Sequence, residues 1–298
     1  MTFSVAGIEI VPWIPVVWGV VVGLAYSLVG AAGGILASVG FISVMGVAHA
    51  NMVKPMAQIL TLVTPLVAVP GYVRQGRLVL CVAVLLGLGG VVGALVGSTL
   101  SATYLSDLSA FKPVFGLFTL AVAGQIAWSL RPNRTAGKGG RAAARFEAHL
   151  AQGGDPKAIG VERLQWGLKR LDFTFAGERF AFSPWLPILA GMLIAVVSSA
   201  LGVGGGFLLV PFMASVMGLP MFVIAATAAT AVVISSLTSV ANYLRLGVDL
   251  DWTLLGLTLL GVAVGSWLGP RLSRFMKERW LKGFLTLVLL GIGLRYLL

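Results

Sequence analysis

Gly30-Ala31-Ala32-Gly33-Gly34 and Gly202-Val203-Gly204-Gly205-Gly206 each interrupt an apolar run. The residues downstream of each cluster also repeat, Ser43-Val44-Met45-Gly46 matching Ser215-Val216-Met217-Gly218. Both pairs lie 172 residues apart, so the two copies align without a gap. Small residues also serve tight helix packing in membranes, and one glycine cluster would carry only that reading. Two clusters at matching places in a duplicated chain point to broken helices around a transporter's binding site. In lipid, unpaired backbone is tolerated only where protein or a water-filled cavity receives it.

The rest of the composition fits a membrane fold. The chain has 298 residues, 58% of them hydrophobic and 10% charged, with a mean hydropathy of +0.98. A soluble domain carries about 25% charged residues. The formal charge of +11 does not point to nucleic acid, because ten of the 21 Lys and Arg fall between Arg131 and Arg179, in the only long polar segment. That clustering is typical of a cytoplasmic loop. The lone Cys81 excludes an internal disulfide and any cysteine-rich metal site; lying in an apolar run, it reads as a core filler. The first basic residue is Lys54, so no positive region marks a cleavable leader.

A span needs about 20 apolar residues. Candidates are 12–30, 33–48, 52–73, 78–103 and 108–130, then 184–202, 204–219, 221–244, 252–271 and 280–298. The second and seventh are short and read as half-helices, re-entrant pieces or tilted short helices. The fold class is therefore an all-α polytopic membrane protein of two five-segment repeats, with Gly-rich broken helices at the midplane. Residues 1–130 form the first repeat, 131–183 an insert and 184–298 the second repeat.

An odd number of segments per repeat forces the halves to insert in opposite senses. With the insert inside, Arg74, Arg77, Arg271, Arg274, Lys277, Arg279 and Lys282 also fall inside, leaving Lys54, Lys112, Arg245 and Arg295 outside or in the membrane. The positive-inside rule selects this orientation, with both termini outside. The duplication is then of the inverted type, which suits alternating access. Further agreement comes from Tyr72-Val73-Arg74-Gln75-Gly76 against Tyr243-Leu244-Arg245-Leu246-Gly247 at a spacing of 171. Gly93, Gly97 and Ser101 match Gly265, Gly269 and Ser273 at 172, and Gly89/Gly93/Gly97 and Gly261/Gly265/Gly269 read as helix-packing faces.

Within the insert, Val161, Leu164, Leu168 and Leu171 recur at helical spacing among charges, which predicts an amphipathic helix. Phe173-Thr174-Phe175 and Phe180-Ala181-Phe182 alternate around Gly177 and predict a short hairpin. Residues 131–145, rich in Gly, Ala and Arg, read as linker.

Several side chains stand beside the breaks. A helix starting after Gly34 and another after Gly206 would turn unpaired N–H groups and partial positive charge toward the protein centre. Glycine removes the Cβ atoms that would hold a ligand off, and anions bind at such termini. The candidate backbone donors are Gly33, Gly34, Gly204, Gly205 and Gly206. Lys54, Gln58 and Thr61 share one helix face and could offer an ammonium and two polar groups, although Lys54 could equally snorkel to an interface. Thr227 and Thr230 lie on one stripe and Ser235, Ser239 and Asn242 on another, with Thr230 the repeat partner of Gln58. Ser198 and Ser199 are weaker candidates. His49 reads as an exposed loop residue, and Asp249 and Asp251 as a solvated loop. The scarcity of membrane carboxylates argues against a cation substrate. No HExxH, no P-loop lysine and no nucleophile with a partner histidine occurs, so neither catalysis nor a cofactor or metal is expected.

At these residues the chain resembles the TauE/SafE family of anion exporters. The resemblance rests on Leu201-Gly-Val-Gly-Gly-Gly-Phe-Leu-Leu-Val-Pro211, Gly218-Leu-Pro220, Ala226-Thr227, Gly247-Val-Asp249, Phe182-Ser-Pro184 and Gly261/Gly265/Gly269. The first half departs from the pattern: Gly30-Ala-Ala-Gly-Gly34 has one glycine fewer, Val39 stands in place of proline and Lys54-Pro55 replaces the Ala-Thr pair. The resemblance implies a carrier in the bacterial inner membrane that exports sulfite, a sulfonate such as sulfoacetate, or a related sulfur oxyanion. The expected partners are therefore a small anion and the lipid bilayer, without nucleic acid. The alternatives are a carrier of another small anion, an importer, or a non-catalytic membrane assembly factor whose insert binds a partner.

Overall fold

The computed structural model describes residues 1–29, 33–129, 137–167, 170–272 and 278–298. Gly30, Ala31 and Ala32 of the first break, Arg131 and Arg134, Leu168 and Lys169, and Ser273, Arg274 and Lys277 lie outside the described residues.

The apolar runs become helices. The first half contains α1 (Trp13–Val29), α2 (Gly33–Val39, continued by a π-helical turn over Gly40–Val44), α3 (Ala50–Arg74), α4 (Leu80–Tyr104) and α5 (Leu108–Ser129). After α6 (Lys138–Ala151), the second half contains α7 (Trp185–Leu201), α8 (Gly206–Ser215), α9 (Met221–Arg245), α10 (Trp252–Leu272) and α11 (Glu278–Leu297). Helices over Leu80–Tyr104, Leu108–Trp128 and Met221–Arg245 are long and apolar enough to cross a membrane, with shorter apolar helices around them. Pro55, Pro65 and Pro70 sit inside α3, which neighbouring helices tolerate in a membrane bundle by re-satisfying freed backbone groups.

Packing pairs the halves by exchange. The most extensive helix contacts are α4 with α7 and α1 with α10, followed by α4 with α9, α5 with α11 and α3 with α9. Shifting by 172 residues turns the α1–α10 pair into α7–α4, and the match extends to single atoms. A Cβ at Gly89 would overlap the Ile188 carbonyl and one at Gly261 the Val16 carbonyl. Gly93 stands against Met192 O as Gly265 stands against Val20 O, and Gly191 against Leu86 O as Gly19 against Thr258 O. Backbones approach this closely only where the side chain is absent. α4 and α9 run parallel: the Val79 N–H just before α4 donates to Thr227 Oγ1 near the start of α9, while near their far ends Asn242 Nδ2 donates to Ser98 Oγ and Thr99 Oγ1 at 2.7 and 3.0 Å.

The insert departs from its sequence reading in two ways. Val161–Trp166 (β3) is a strand, not a helix, and pairs antiparallel with β4 (Leu171–Phe175), which pairs with β5 (Glu178–Phe182). The hairpin over β4 and β5 is present, turning at Ala176-Gly177 with both φ values positive. Lys138–Gly140 and Arg141–Arg145 are helical rather than linker, because α6 buries Ala142 and Phe146 one turn apart. The insert docks on the α3–α4 loop, where Val161 N–H donates to Gly76 O and the Arg77 guanidinium lies between the Phe146 and Phe222 rings, 5.2 and 4.9 Å from their centroids.

A second hairpin, β1 (Thr2–Phe3) with β2 (Ile8–Glu9), precedes α1. It occupies the place of β4–β5 before α7, since Pro12-Trp13 and Pro15 recur as Pro184-Trp185 and Pro187 at the same 172 offset. Phe3 and its equivalent Phe175 are both fully buried. β1–β2 packs against the α9–α10 loop, where Ala6 N–H donates to Asp251 Oδ2 at 3.2 Å. Asp251 is therefore not solvated: it is buried and caps α10 by accepting Leu254 N–H at 3.0 Å. Asp249 and His49 are exposed, and Cys81 is buried among apolar side chains.

Candidate functional site

The second break is built by α7 ending early. Gly202 takes the left-handed conformation at φ +71 and closes the helix, as helix C-termini favour. Gly204 repeats that conformation at φ +68, and α8 starts at Gly206. The last carbonyls of α7 would be orphaned without partners; the Gly202 and Val203 N–H groups close on Ser198 O, and three neighbouring helices supply further donors. Ser198 O accepts Val203 N–H at 3.1 Å and Gln58 Nε2 at 3.4 Å; Ser199 O accepts the Tyr243 hydroxyl at 3.0 Å; Ala200 O accepts the Ser101 hydroxyl at 2.6 Å.

The polar face of α3 lies on this break. Glycine is required at Gly202 because a Cβ there would come 2.5 Å from Lys54 Cα. A Cβ at Gly204 would come 2.9 Å from Thr61 Oγ1. Lys54, Gln58 and Thr61 thus face Gly202, Ser198 and Gly204 in turn. The first break joins them: a Cβ at Gly34 would overlap the Val203 carbonyl, and one at Gly33 the Tyr26 ring. The Tyr26 hydroxyl also reaches the start of α8, 3.9 Å from a Cβ at Gly206. Gly205 turns the other way, onto a small cavity lined by Gly90, Ser198 and Ser235 among apolar neighbours.

These side chains are buried, with 1% of Gln58, 2% of Thr61 and 2% of Ser198 exposed. Thr61 Oγ1 donates to the Gln58 backbone carbonyl at 2.8 Å. Gln58 Oε1 meets no donor among the described residues. Lys54 is fully buried, but its ammonium is already engaged. It donates to Asn51 Oδ1 at 3.0 Å, Ser101 O at 3.2 Å and Leu105 O at 2.7 Å, with the Phe111 ring 5.1 Å away. Two of these bonds close the C-terminal end of α4, and the third ties the ammonium to Asn51 of its own helix. Thr227 and Thr230 sit apart from this group: Thr227 Oγ1 accepts Val79 N–H, and Thr230 Oγ1 donates to Ala226 O of its own helix.

The site gathers carboxamide, hydroxyl and backbone groups around two touching breaks, a set suited to holding a polar solute by hydrogen bonds. Among the described residues no group of three or more His, Cys, Asp or Glu could hold a metal ion. Tyr26 is absent from the sequence-derived set, yet it is the repeat counterpart of Ser198 at the 172 offset, and that correspondence was its available signal.

The sequence matches the sulfite exporter TauE/SafE family over residues 15–296. The chain belongs to the TauE/SafE family. No curated protein and no solved structure matches it. The family match spans both breaks, the α3 face and the insert, and with the apolar helices it makes this TauE/SafE chain a multi-pass membrane protein of an anion-exporter family.

Proposed function

We propose that this TauE/SafE chain is a secondary transporter that exports a small sulfur-containing anion, sulfite or an organosulfonate such as sulfoacetate, by alternating access. The observation that carries the reading is the junction of the two breaks, Gly34 against Val203 O, with Gln58 and Thr61 buried beside it. N–H groups near Gly33, Gly34, Gly204, Gly205 and Gly206 would bind the anion's oxygens, and Gln58 and Thr61 would orient it. Lys54 would act through its charge, its donors being taken; Thr227 and Thr230 would line the path on α9.

The two halves would be inverted repeats that rock about this junction. Exchanged pairing of α1–α10 with α7–α4 supports this, as does the placement of equivalent hairpins on the α9–α10 and α3–α4 loops at opposite ends of the bundle. Clustering of basic residues supports a cytoplasmic insert and an inner-membrane location. Purified protein in liposomes should move sulfite or a sulfonate down its gradient; no flux of any sulfur oxyanion would end the assignment.

A further inference from the structure

Resting on that reading, we propose that Tyr26 touches the substrate: its phenolic hydroxyl donates to one oxygen of the sulfur oxyanion while the N–H groups at the start of α8 take the others. Pro15, Gly19 and Val22 form the buried stripe of α1, and Tyr26 continues that stripe one turn further. The side chain therefore points into the bundle, which encloses its hydroxyl, and the surface it keeps accessible faces inward. Its ring lies on the first break, where a Cβ at Gly33 would overlap it. Its tip reaches the second break, with the hydroxyl 3.9 Å from a Cβ at Gly206.

Donors without acceptors meet here. The N–H groups of Gly204, Gly205, Gly206 and Phe207 find no acceptor among the described residues. Gly204 is left-handed, and Gly205, at φ −74 and ψ −6, is right-handed. That alternation turns successive N–H groups into one concavity for an anionic oxygen. Other hydroxyls around the break are spent on carbonyls: Thr61 on Gln58 O, Ser101 on Ala200 O, Tyr243 on Ser199 O and Ser198 on Ala195 O. The Tyr26 hydroxyl makes no hydrogen bond among the described residues. Its repeat counterpart, Ser198, is too short to leave its own helix, so the two breaks are chemically unequal and the free phenol stands at the start of α8. Enclosed donors call for an acceptor, and a sulfite or sulfonate head, with several oxygens on one sulfur, can meet a phenol and a run of amides at once.

Tyr26→Phe keeps the ring on Gly33 and removes the hydroxyl alone. In calorimetric titration of the whole purified chain with sulfite, the variant should bind roughly tenfold more weakly than the wild type, with an unchanged unfolding midpoint in the absence of ligand. A hydroxyl that serves only the fold would do the reverse, lowering the midpoint and leaving affinity alone, and equal affinities overturn the proposal. Fluorotyrosine placed at position 26 gives a second reading that does not depend on the phenylalanine variant folding. Its fluorine resonance should move when sulfite is added, and a resonance that stays put overturns the contact. A wild-type chain that binds neither sulfite nor a sulfonate defeats the transport reading itself and takes this inference with it.

Discussion

Lys54 is the residue whose role the fold most clearly redefines. In sequence it opens a polar helix face, and a free ammonium there would suit an anion. In the bundle its acceptors include the carbonyls of Ser101 and Leu105, 47 and 51 residues away, so no local pattern could place them. Loss of the ammonium leaves Leu105 O and Asn51 Oδ1 short of that donor, while Ser101 O keeps the Leu105 N–H at 2.9 Å. Lys54→Met should therefore destabilise the protein by about 2 kcal/mol, read as a lower thermal unfolding midpoint in detergent. Sulfite affinity of the folded fraction should weaken only through the lost charge. A variant of unchanged stability would show that the three bonds contribute nothing. Gln58 and Thr61 were legible because helical spacing puts them on one face. What the spacing omits is the partner, a helix end from the other half of the chain.

At the scale of elements, the membrane helices and the β4–β5 hairpin were legible, and β3 and α6 of the insert were not. Long apolar runs ended by glycine leave little choice, and α7 stops at Gly202 as its sequence requires. β3 misleads because its register with β4 shifts between Glu162 and Gln165. A β-bulge adds a residue to one strand, so apolar positions three apart, such as Val161 and Leu164, fit a bulged strand as well as a helix. α6 was hidden by its glycines, although Ala142 to Ala144 favour helix. The insert is held by Arg77 between two rings and by paired charges. Arg77→Ala should speed proteolysis of residues 137–183 several-fold, since each ring contact contributes about 0.5–2 kcal/mol. Burial pushes the Arg77 guanidinium below its ordinary value. Arg179 holds the Asp172 carboxyl below the usual range through its hydrogen bond, aided by Arg170, and Arg141 does the same for Glu178. Because both folded values are depressed, the stabilisation is present above the ordinary carboxylate range and is lost as pH falls through the folded values. Acid should thus loosen the insert, and Asp172→Asn should flatten that dependence when protease susceptibility is followed against pH.

Over the whole molecule, the 172 offset was legible but the exchange of partners was not, because a repeat in sequence does not say whether a segment packs within its own half or on the other. The glycine faces settle it. Gly93 meets Met192 O and Gly265 meets Val20 O in equivalent contacts. Gly93→Val and Gly265→Val should therefore cost similar amounts, about 1–3 kcal/mol each for forced overpacking, whereas a change at Gly283, which has open space beside it, should cost little. β1–β2 rests on the α9–α10 loop and the insert on the α3–α4 loop, and the parallel course of α4 and α9 puts those loops at opposite ends. Ser4 and Gln152 are exposed at these two ends. In a Cys81→Ser background, a membrane-impermeant thiol reagent should label Ser4→Cys on intact spheroplasts and reach Gln152→Cys only after lysis. Labelling of both from one side would mean that equivalent hairpins share a face of the membrane, and two halves that do so are not related by inversion.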